Sequence, residues 1–486
     1  MDRRIVIGML ALLFAVCLSA RIYLAFAQPN LQLQAYFTER QVEGILKTGL
    51  PVYEDSLSYS GKTQAFVPLY YYILAFFSLF MPFETTAKII PNIFSAFIVL
   101  FSFILAKRVT NNDAASLLTA FISSFIPVFF VETFNSASPF SLVIPLMIFQ
   151  AYCFMEKKTA WFTALSFILP LIHFSSAVLP LSLMTFLTLS KIEKFSIDKQ
   201  YAEMSMFSLA THLWVLLVFY KDAFLFHGFK IIFKNIPFSI IGQHFSRFSI
   251  IEGIYLIGII PAIYGVFAAY EFLFKKRNFE GFVLLAFVFT PAILLWLALI
   301  EISQGMIFLG AFLSVIFSGH YHALTDFLKK TRFSHLKYYR HYFIISSITI
   351  FVLTSAVPAV VLSEQSKSLS AGEFEALAWI NANAPKEAVV LAPIEYGDAV
   401  AAVAKRKNVM DTNYLLVKNI NARYADFSKM FSSLYKTEVI RMINKYEASY
   451  LFVSGGDSGR FSDPCFKKVF SNNNTEVFKA ECTLKE

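Results

Sequence analysis

The sequence predicts a polytopic α-helical membrane protein with a small soluble α/β domain at its carboxyl end. Of the 486 residues, 57% are apolar and 15% are charged, whereas soluble domains are usually about 25% charged. Apolar runs long enough to cross a bilayer recur through residues 1–362, and polar sequence dominates residues 363–486. Lipid is therefore the expected solvent for most of the chain, which excludes an ordinary soluble enzyme.

About eleven apolar runs are predicted to span the membrane, because a bilayer core needs about 20 apolar residues per helix. Clusters of Lys and Arg separate the runs, and placing each cluster in the cytoplasm requires an even number of spans between neighbouring clusters. This parity makes the short stretch from Phe66 to Phe83 an interfacial or re-entrant helix. The same parity predicts two short helices in the apolar stretch between Lys158 and Lys191, with the chain turning between them near His173. The predicted spans are 5–27, 89–106, 114–131, 139–155, 159–173, 176–190, 201–219, 250–273, 280–300, 304–324 and 342–362.

The basic clusters also predict the orientation. Arg3 and Arg4 precede the first apolar run, which places the N-terminus in the cytoplasm and residues 363–486 on the extracytoplasmic side of the cell membrane. A cleavable signal peptide is an open alternative for this run, although Arg21 interrupts it, and either alternative sends the next loop outside. The formal charge of +9 is divided among small clusters, so membrane lipids and not nucleic acid are the expected partners.

Residues 363–486 are predicted to form the extracytoplasmic α/β domain. Cys465 and Cys482 flank a predicted hairpin, so a disulfide between them would close its base in an oxidising compartment. So small a domain buries little core, and we expect it to rest on the loops of the membrane part. The predicted helices are 373–383, 398–404, 422–434 and 437–446, and the predicted strands are 388–391, 408–410, 449–453 and the hairpin 466–479.

Three segments carry a resemblance to a known class. The first segment runs from Gln34 to Arg40 and continues through Gly49-Leu-Pro51 to Asp55. The second consists of two short outer loops that contain Glu132 and Glu301. The third contains Trp379 to Pro385, Glu395-Tyr396-Gly397 and Lys407 to Asp411. Together they resemble the GT-C class of membrane glycosyltransferases. Within that class, they are most similar to the catalytic subunit of oligosaccharyltransferase and its archaeal relatives.

The resemblance implies transfer of a sugar from a polyprenyl-phosphate carrier to a protein or glycan acceptor outside the membrane. Such transfer needs a carboxylate that takes the acceptor's proton, and cations or a metal that stabilise the departing phosphate. Mg²⁺ or Mn²⁺ is a candidate cofactor, although one carboxylate is a poor site for either ion. The candidate catalytic residues are Glu39, Glu132 and Glu301, and the candidate phosphate ligands are Arg40, Lys62, His173, Lys230 and Arg247.

The chain departs from the pattern of this class at several positions. Gln34 stands where the class has a catalytic Asp, and Gln304 stands where a basic residue is expected. Pro393 and Ile394 replace the two tryptophans that precede Glu395-Tyr396-Gly397 in the related motif. Protein N-glycosylation in its usual form is therefore not the expected activity.

Two other functions remain open. A non-catalytic relative, acting as a subunit or a lipid-carrier binder, would account for Gln34 and Gln304. A transporter usually has paired repeats and broken helices, and no repeat is apparent in this sequence.

Overall fold

A computed structural model of the chain describes residues 2–228, 248–335, 338–366, 368–432, 436–455, 461, 464–472 and 474–482. Most of these residues are helical. The α-helices are α1 (Arg3–Ala27), α2 (Ala35–Thr48), α3 (Leu69–Ser78), α4 (Phe83–Thr110), α5 (Asp113–Ser124), α6 (Pro127–Thr133), α7 (Phe140–Met155), α8 (Thr159–Ile172), α9 (Val178–Ile192), α10 (Lys199–Phe219), α11 (Lys221–His227), α12 (Ile250–Ile257), α13 (Ile259–Glu271), α14 (Phe279–Trp296), α15 (Ile302–Lys329), α16 (Tyr339–Phe351), α17 (Val357–Glu364), α18 (Ala371–Asn383), α19 (Gly397–Ala399), α20 (Ile420–Ser432) and α21 (Lys436–Lys445).

The helices confirm a polytopic membrane architecture. Within the described residues, seven helices are long and apolar enough to cross a bilayer, and two helix pairs, bent by 48° (α5 and α6) and 99° (α12 and α13), are further candidates. The shorter apolar helices α7 and α8 coincide with two predicted spans, and α3 coincides with the predicted interfacial helix. Each predicted span thus corresponds to a helix or a bent pair, while the number that crosses the membrane stays a prediction.

Arg21 joins three helices inside the membrane part. It lies in α1 but is fully buried against protein. Its Nε donates to Asn92 Oδ1 of α4 at 3.0 Å, and its Nη2 donates to Thr133 Oγ1 of α6. The guanidinium also lies 4.5 Å from the ring centroid of Phe130, a cation–π distance. Because an ionised group in a bilayer is stable only with partners, these contacts fix α1 against α4 and α6.

Residues 389–480 contain a mixed sheet of five strands in the described part, in the spatial order β4, β3, β5, β7, β6. Its central strand β5 pairs in parallel with β3 and antiparallel with β7, and Leu451 and Phe452 of β5 are buried. Cys465 and Cys482 form a disulfide at the base of the β6–β7 hairpin. The strands are β3 (Val389–Leu391), β4 (Lys407–Asn408), β5 (Ala448–Ser454), β6 (Phe466–Asn472) and β7 (Thr475–Ala480), and β1 (Glu54–Asp55) and β2 (Lys62–Thr63) pair separately.

The sheet domain rests on the first loop, residues 28–68, as the sequence predicts. Asn30 Nδ2 donates to the Leu369 carbonyl at 2.9 Å, and the Leu369 N–H donates to the Leu31 carbonyl at 3.3 Å. Further along, the Asn408 N–H donates to the Leu57 carbonyl at 2.8 Å. The first loop is therefore held between the helix bundle and the sheet domain.

Gly397 allows the closest backbone approach in the sheet domain. A Cβ at this position would lie 2.2 Å from the Met410 carbonyl oxygen and 2.7 Å from the Asp411 Cα. We expect Gly397→Ala to destabilise the protein by about 1–3 kcal/mol, because backbone must move to admit the methyl group. Thermal unfolding of the purified protein in detergent measures the change.

Gly372→Ala is the matched control, since the nearest atom to its added Cβ lies 3.6 Å away. Alanine is the better helix former by about 1 kcal/mol, so the melting temperature should stay the same or rise. Equal losses in the two variants would contradict the close approach at Gly397.

Candidate functional site

A cavity of about 260 Å³ lies between the helix bundle and the sheet domain. Six parts of the chain form its walls: the start of α2, the segment before α3 with the first turn of that helix, the α6–α7 loop, the α8–α9 turn, the end of α10 and the residues after β4. The lining residues used below are Gln34, Phe37, Thr38, Phe66, Tyr71, Ser136, Ala137, Ser138, Phe140, His173, Phe174, Tyr220 and Asn413. The cavity thus depends on residues that are far apart in the sequence.

The α6–α7 loop forms one wall in an unfavourable backbone conformation. Asn135 and Ala137 have φ values of 50° and 48°, a left-handed region that disfavours residues with a Cβ. Neighbours hold the loop: the Gln32 N–H donates to the Asn135 carbonyl at 3.0 Å, and Thr38 Oγ1 donates to the Ala137 carbonyl at 3.3 Å. Such strain persists where surrounding structure imposes it, and it is frequent at ligand sites.

His173 is a hydrogen-bond donor at the cavity. The Ser175 backbone N–H donates to His173 Nδ1 at 3.3 Å, so the proton of the neutral ring lies on Nε2. The imidazole packs against the ring of Phe140, with a centroid distance of 5.1 Å. The turn between α8 and α9 therefore brings one N–H group to the lining.

Two of the three predicted catalytic carboxylates come together beside this cavity. Glu132, in α6, hydrogen-bonds the Ser303 side chain and interacts electrostatically with Glu301. Gln304 Nε2 donates to Glu301 Oε2 at 3.0 Å. On the cavity side, Ser136 Oγ donates to the Glu132 carbonyl at 2.6 Å. This bond connects the backbone of Glu132 to the lining residue Ser136, whereas neither carboxylate belongs to the lining.

Glu301 is also linked to the sheet domain. The pKa of Tyr414 is raised, first by burial, then by Asp411, and also by Tyr424 and Glu301. Tyr414 follows Asn413, which lines the cavity. Glu301 is therefore near enough to the residues after β4 to affect Tyr414 electrostatically.

Glu39, the third predicted catalytic residue, lies in a different environment. Its pKa is raised to about 7, chiefly by burial and then by repulsion from Glu43, while Lys405 lowers it and Glu84 adds a smaller rise. Glu39 does not belong to the lining of the cavity described above. A catalytic role for Glu39 stays a prediction.

Two predicted phosphate ligands form ion pairs with carboxylates. Arg40 forms a two-pronged pair with Asp55, and Nη2 lies 2.6 Å from Oδ1. Lys62 Nζ donates to Asp411 Oδ1 at 2.9 Å and to the Asn413 carbonyl at 2.5 Å. Arg40 therefore connects α2 to Asp55 within the first loop, and Lys62 connects the first loop to the sheet domain. Lys230 and Arg247 lie outside the described residues.

Asp398 lies close to Asp411 in the same buried cluster. Burial raises the pKa of Asp398 to about 7, repulsion by Asp411 adds to the rise, and Lys62 opposes it. Thr412 Oγ1 donates to Asp398 Oδ2 at 3.1 Å. Lys62 is therefore the cation that lets two carboxylates share a buried region.

The stretch Glu395-Tyr396-Gly397 packs within the sheet domain. The Tyr396 hydroxyl donates to Glu373 Oε1 at 2.6 Å, and its ring lies 5.2 Å from the ring of Phe452. Gly397 provides the close approach described above. These residues are not among those that line the cavity.

The described residues do not form an all-protein cage for a divalent cation. Among them, no three His, Cys, Asp or Glu side chains converge, and Glu132 and Glu301 alone would leave most of the ligands of Mg²⁺ or Mn²⁺ to water or to substrate phosphate. Gln34, at the position of the expected Asp, lines the cavity with an amide. No step below runs through a metal.

Sequence reasoning missed several residues of the site. Asn413, Ser138 and Tyr220 line the cavity, yet nothing in their local sequence distinguishes them from surface residues. The burial of Arg21 against polar partners could have been predicted from the sequence, because an ionisable residue inside an apolar run usually has a role and a partner. The pairing of Lys62 with Asp411 joins residues 349 positions apart, which no local pattern reveals.

The buried Asp398 predicts how stability depends on pH. Because the pKa of Asp398 is raised in the folded chain, the folded chain binds the proton of this carboxyl group more tightly than the unfolded chain does. The free energy of unfolding therefore falls as the pH rises from about 4 to about 7. Asp398→Asn should remove part of this fall and should be more stable than the wild type at pH 8. Thermal unfolding in detergent across this range tests it.

Glu375→Gln, an exposed substitution in the same domain, should leave the pH profile unchanged. If the Asp398→Asn profile runs parallel to that of the wild type, Asp398 does not titrate in this range.

Comparison with known proteins gives the fold. No protein-family model matches the sequence, and a search of curated proteins finds no match. Among solved structures, the oligosaccharyltransferase of Archaeoglobus fulgidus, tethered with an acceptor peptide containing the NVT sequon, is similar with a TM-score of 0.72 and 13% identity over 93% of this chain and 69% of that chain. Other structures of that enzyme hold an inhibitory peptide and a dolichol-phosphate, or Zn and sulfate.

Two further structures are similar over nearly all of this chain. ArnT from Cupriavidus metallidurans, bound to undecaprenyl phosphate, has a TM-score of 0.55 and 10% identity over 97% of this chain and 98% of that chain. The arabinofuranosyltransferase AftD from Mycobacteria has a TM-score of 0.53 and 11% identity over 97% of this chain and 40% of that chain. The chain therefore has the fold of the GT-C class of membrane glycosyltransferases, in a divergent form.

Proposed function

We propose that the protein is a glycosyltransferase that moves a sugar from a polyprenyl-phosphate carrier to a hydroxyl-bearing acceptor. The observation that carries this proposal is the electrostatic pair of Glu132, in α6, and Glu301, which directly precedes α15. A carboxylate inside a candidate membrane helix, as Glu132 is, is retained where it has a partner or a task. A base at this position would serve an acceptor seated in the cavity.

In the proposed reaction, a carboxylate of the pair accepts the proton of the acceptor hydroxyl. The acceptor oxygen attacks the anomeric carbon of the donor sugar, and the bond from that carbon to the phosphate oxygen breaks. The polyprenyl phosphate leaves with the bonding electrons, and the sugar is attached to the acceptor with inverted configuration. Ser303 and Gln304, which hydrogen-bond Glu132 and Glu301, would hold the pair in place.

Lipid phosphates are the expected partners on the donor side. The similar structures hold a dolichol-phosphate in one case and undecaprenyl phosphate in another. Since Arg40 and Lys62 are paired with carboxylates, Lys230 and Arg247 are our candidates for binding the phosphate of the carrier. The acceptor is a protein or a glycan.

We further propose that the cavity and the sheet domain, residues 363–486, face the extracytoplasmic side, with the N-terminus in the cytoplasm. The Cys465–Cys482 disulfide supports this orientation, because disulfides persist in oxidising compartments. The clusters of Lys and Arg between the predicted spans support it independently.

Cysteine labelling tests this orientation. Ser56 and Ser196 are exposed at opposite ends of the bundle, and the thiols Cys17 and Cys153 are buried. On intact cells, a membrane-impermeant maleimide should label Ser56→Cys and should reach Ser196→Cys only after lysis. The reverse pattern would invert the proposed topology.

Charge-neutral substitutions of the pair test the proposed chemistry. Glu132→Gln and Glu301→Gln should each lower the rate of sugar transfer by about 10²–10⁴-fold, because glutamine cannot accept the proton. Turnover of polyprenyl-phosphate sugars by the purified protein is the measurement. Glu54→Gln, an exposed residue that hydrogen-bonds Thr63, should retain wild-type turnover. Full activity in both pair variants would rule out this role.

A carrier-binding protein without turnover is the second candidate function. Gln34 favours it, since an amide at the position of the expected Asp cannot act as a base. Binding of polyprenyl phosphate by the wild type, together with no transfer from any donor, would establish this alternative. Flux of solute into proteoliposomes would instead indicate a transporter.

A further inference from the structure

The described lining of the cavity is polar without being charged. Among the described residues, none of its lining side chains carries a formal charge. A buried ionic ligand would therefore find no opposite charge, and an unpaired buried charge is strongly unfavourable. An anionic or cationic group is therefore less stable in this cavity than a neutral polar group.

The hydrogen-bonding groups of the lining include both donors and acceptors. His173 has its Nε2–H, and Ser138 Oγ accepts from the Phe140 N–H at 3.4 Å, which leaves its own proton to donate. Ser136 Oγ donates to the Glu132 carbonyl and so offers only lone pairs to a ligand. Carboxylates and phosphates only accept, and ammonium groups only donate, whereas hydroxyl groups do both.

Two side-chain amides add to this mixed lining. Gln34 and Asn413 reach the cavity from opposite sides, one from the start of α2 and one from the sheet domain. No described residue hydrogen-bonds either amide. Each therefore retains a carbonyl oxygen and an NH₂ group for a ligand.

Aromatic rings complete the walls. The ring of Phe66 is stacked on Tyr53 at 4.8 Å and meets the edge of Tyr71 at 5.2 Å. The ring of Phe174 lies 6.0 Å from that of Tyr220. The negative face of an aromatic ring attracts polarised C–H groups, which sugar rings carry alongside their hydroxyls.

The cavity is small and its walls are held firmly. Its volume of about 260 Å³ is below the roughly 300–1,000 Å³ of sites for drug-sized ligands. Ser136 and Ala137 are buried in a loop whose strained conformation is fixed from both sides. A single ring fits this space better than an oligosaccharide or a peptide.

We infer that this cavity binds one uncharged sugar ring. This inference rests on the proposed function. If the protein is a glycosyltransferase, its donor or acceptor sugar at this cavity is a neutral sugar. The ring can belong to the acceptor or to the donor, because both present the same hydroxyl chemistry. Uronic acids and amino sugars are excluded by the same uncharged lining.

Binding of methyl glycosides to the full chain in nanodiscs tests the inference. Saturation-transfer NMR compares a neutral methyl hexoside with the matching hexuronate and 2-amino-2-deoxyhexoside. The neutral glycoside should bind, and the charged ones should bind about tenfold more weakly or worse, because an unpaired buried charge is destabilising. No binding of the neutral glycoside, or equal binding of all three, overturns the inference.

Charge substitutions in the lining should change this preference. Gln34→Lys should bind the hexuronate better than the neutral glycoside, and Asn413→Asp should prefer the amino sugar. Gln365→Lys, on an exposed residue outside the lining, should behave as the wild type. Melting temperatures check that the variants fold, and either lining variant suffices. A folded lining variant with the wild-type preference contradicts the inference.

Competition identifies the source of the sugar. A polyprenyl-phosphate hexose that displaces the methyl glycoside indicates the donor sugar, and simultaneous binding indicates the acceptor. Transfer activity without the charge preference would leave the proposed function standing and remove this inference. The charge preference without transfer from any donor would do the opposite.

Discussion

The ion pair between Lys62 and Asp411 joins the first loop to the sheet domain, and the cavity depends on it. Lys62 also donates a hydrogen bond to the Asn413 carbonyl, so one ammonium group positions a lining residue directly. The same cation lies near Asp398, whose pKa is raised by burial and by Asp411. Without Lys62, Asp411 would lose its ion-pair partner in a buried region that it shares with Asp398, and removing one partner of a buried ion pair typically destabilises a protein by about 3–5 kcal/mol. The Lys62 side chain thus both positions Asn413 at the cavity and compensates the charge of the buried carboxylates.

The carboxylate pair and the cavity are separate parts of one arrangement. Glu132 and Glu301 hold the charge, whereas the lining residues are neutral. The Ser136 hydroxyl connects them, because it lines the cavity and donates to the Glu132 carbonyl. This separation keeps a proton acceptor near a bound ligand without placing a negative charge in the binding space. In the proposed reaction, the phosphate of the carrier needs cations elsewhere, for which Lys230 and Arg247 are our candidates.

Much of the fold could be predicted from the sequence, because apolar length and alternation are local properties. The apolar stretch from Phe66 to Phe83 predicted a short helix where α3 has ten residues, and the short apolar run at 449–453 predicted strand β5. The site could be predicted only in part. Arg40 and Lys62 look like phosphate ligands in the sequence, since charge is visible there but the distant partners Asp55 and Asp411 are not. Asn413 could not be found, because its role arises from where the sheet domain rests.

Arg21 has a consequence for how the chain enters the membrane. An arginine in a spanning helix makes insertion unfavourable, by about 2.5–3.5 kcal/mol at the helix centre and by less toward its ends. Arg21 lies in the second half of α1, and the groups that bind it, Asn92 in α4 and Thr133 in α6, are synthesised later. We therefore expect helix α1 to be least stable in lipid while it is the newest segment and to gain stability once α4 and α6 have packed against it.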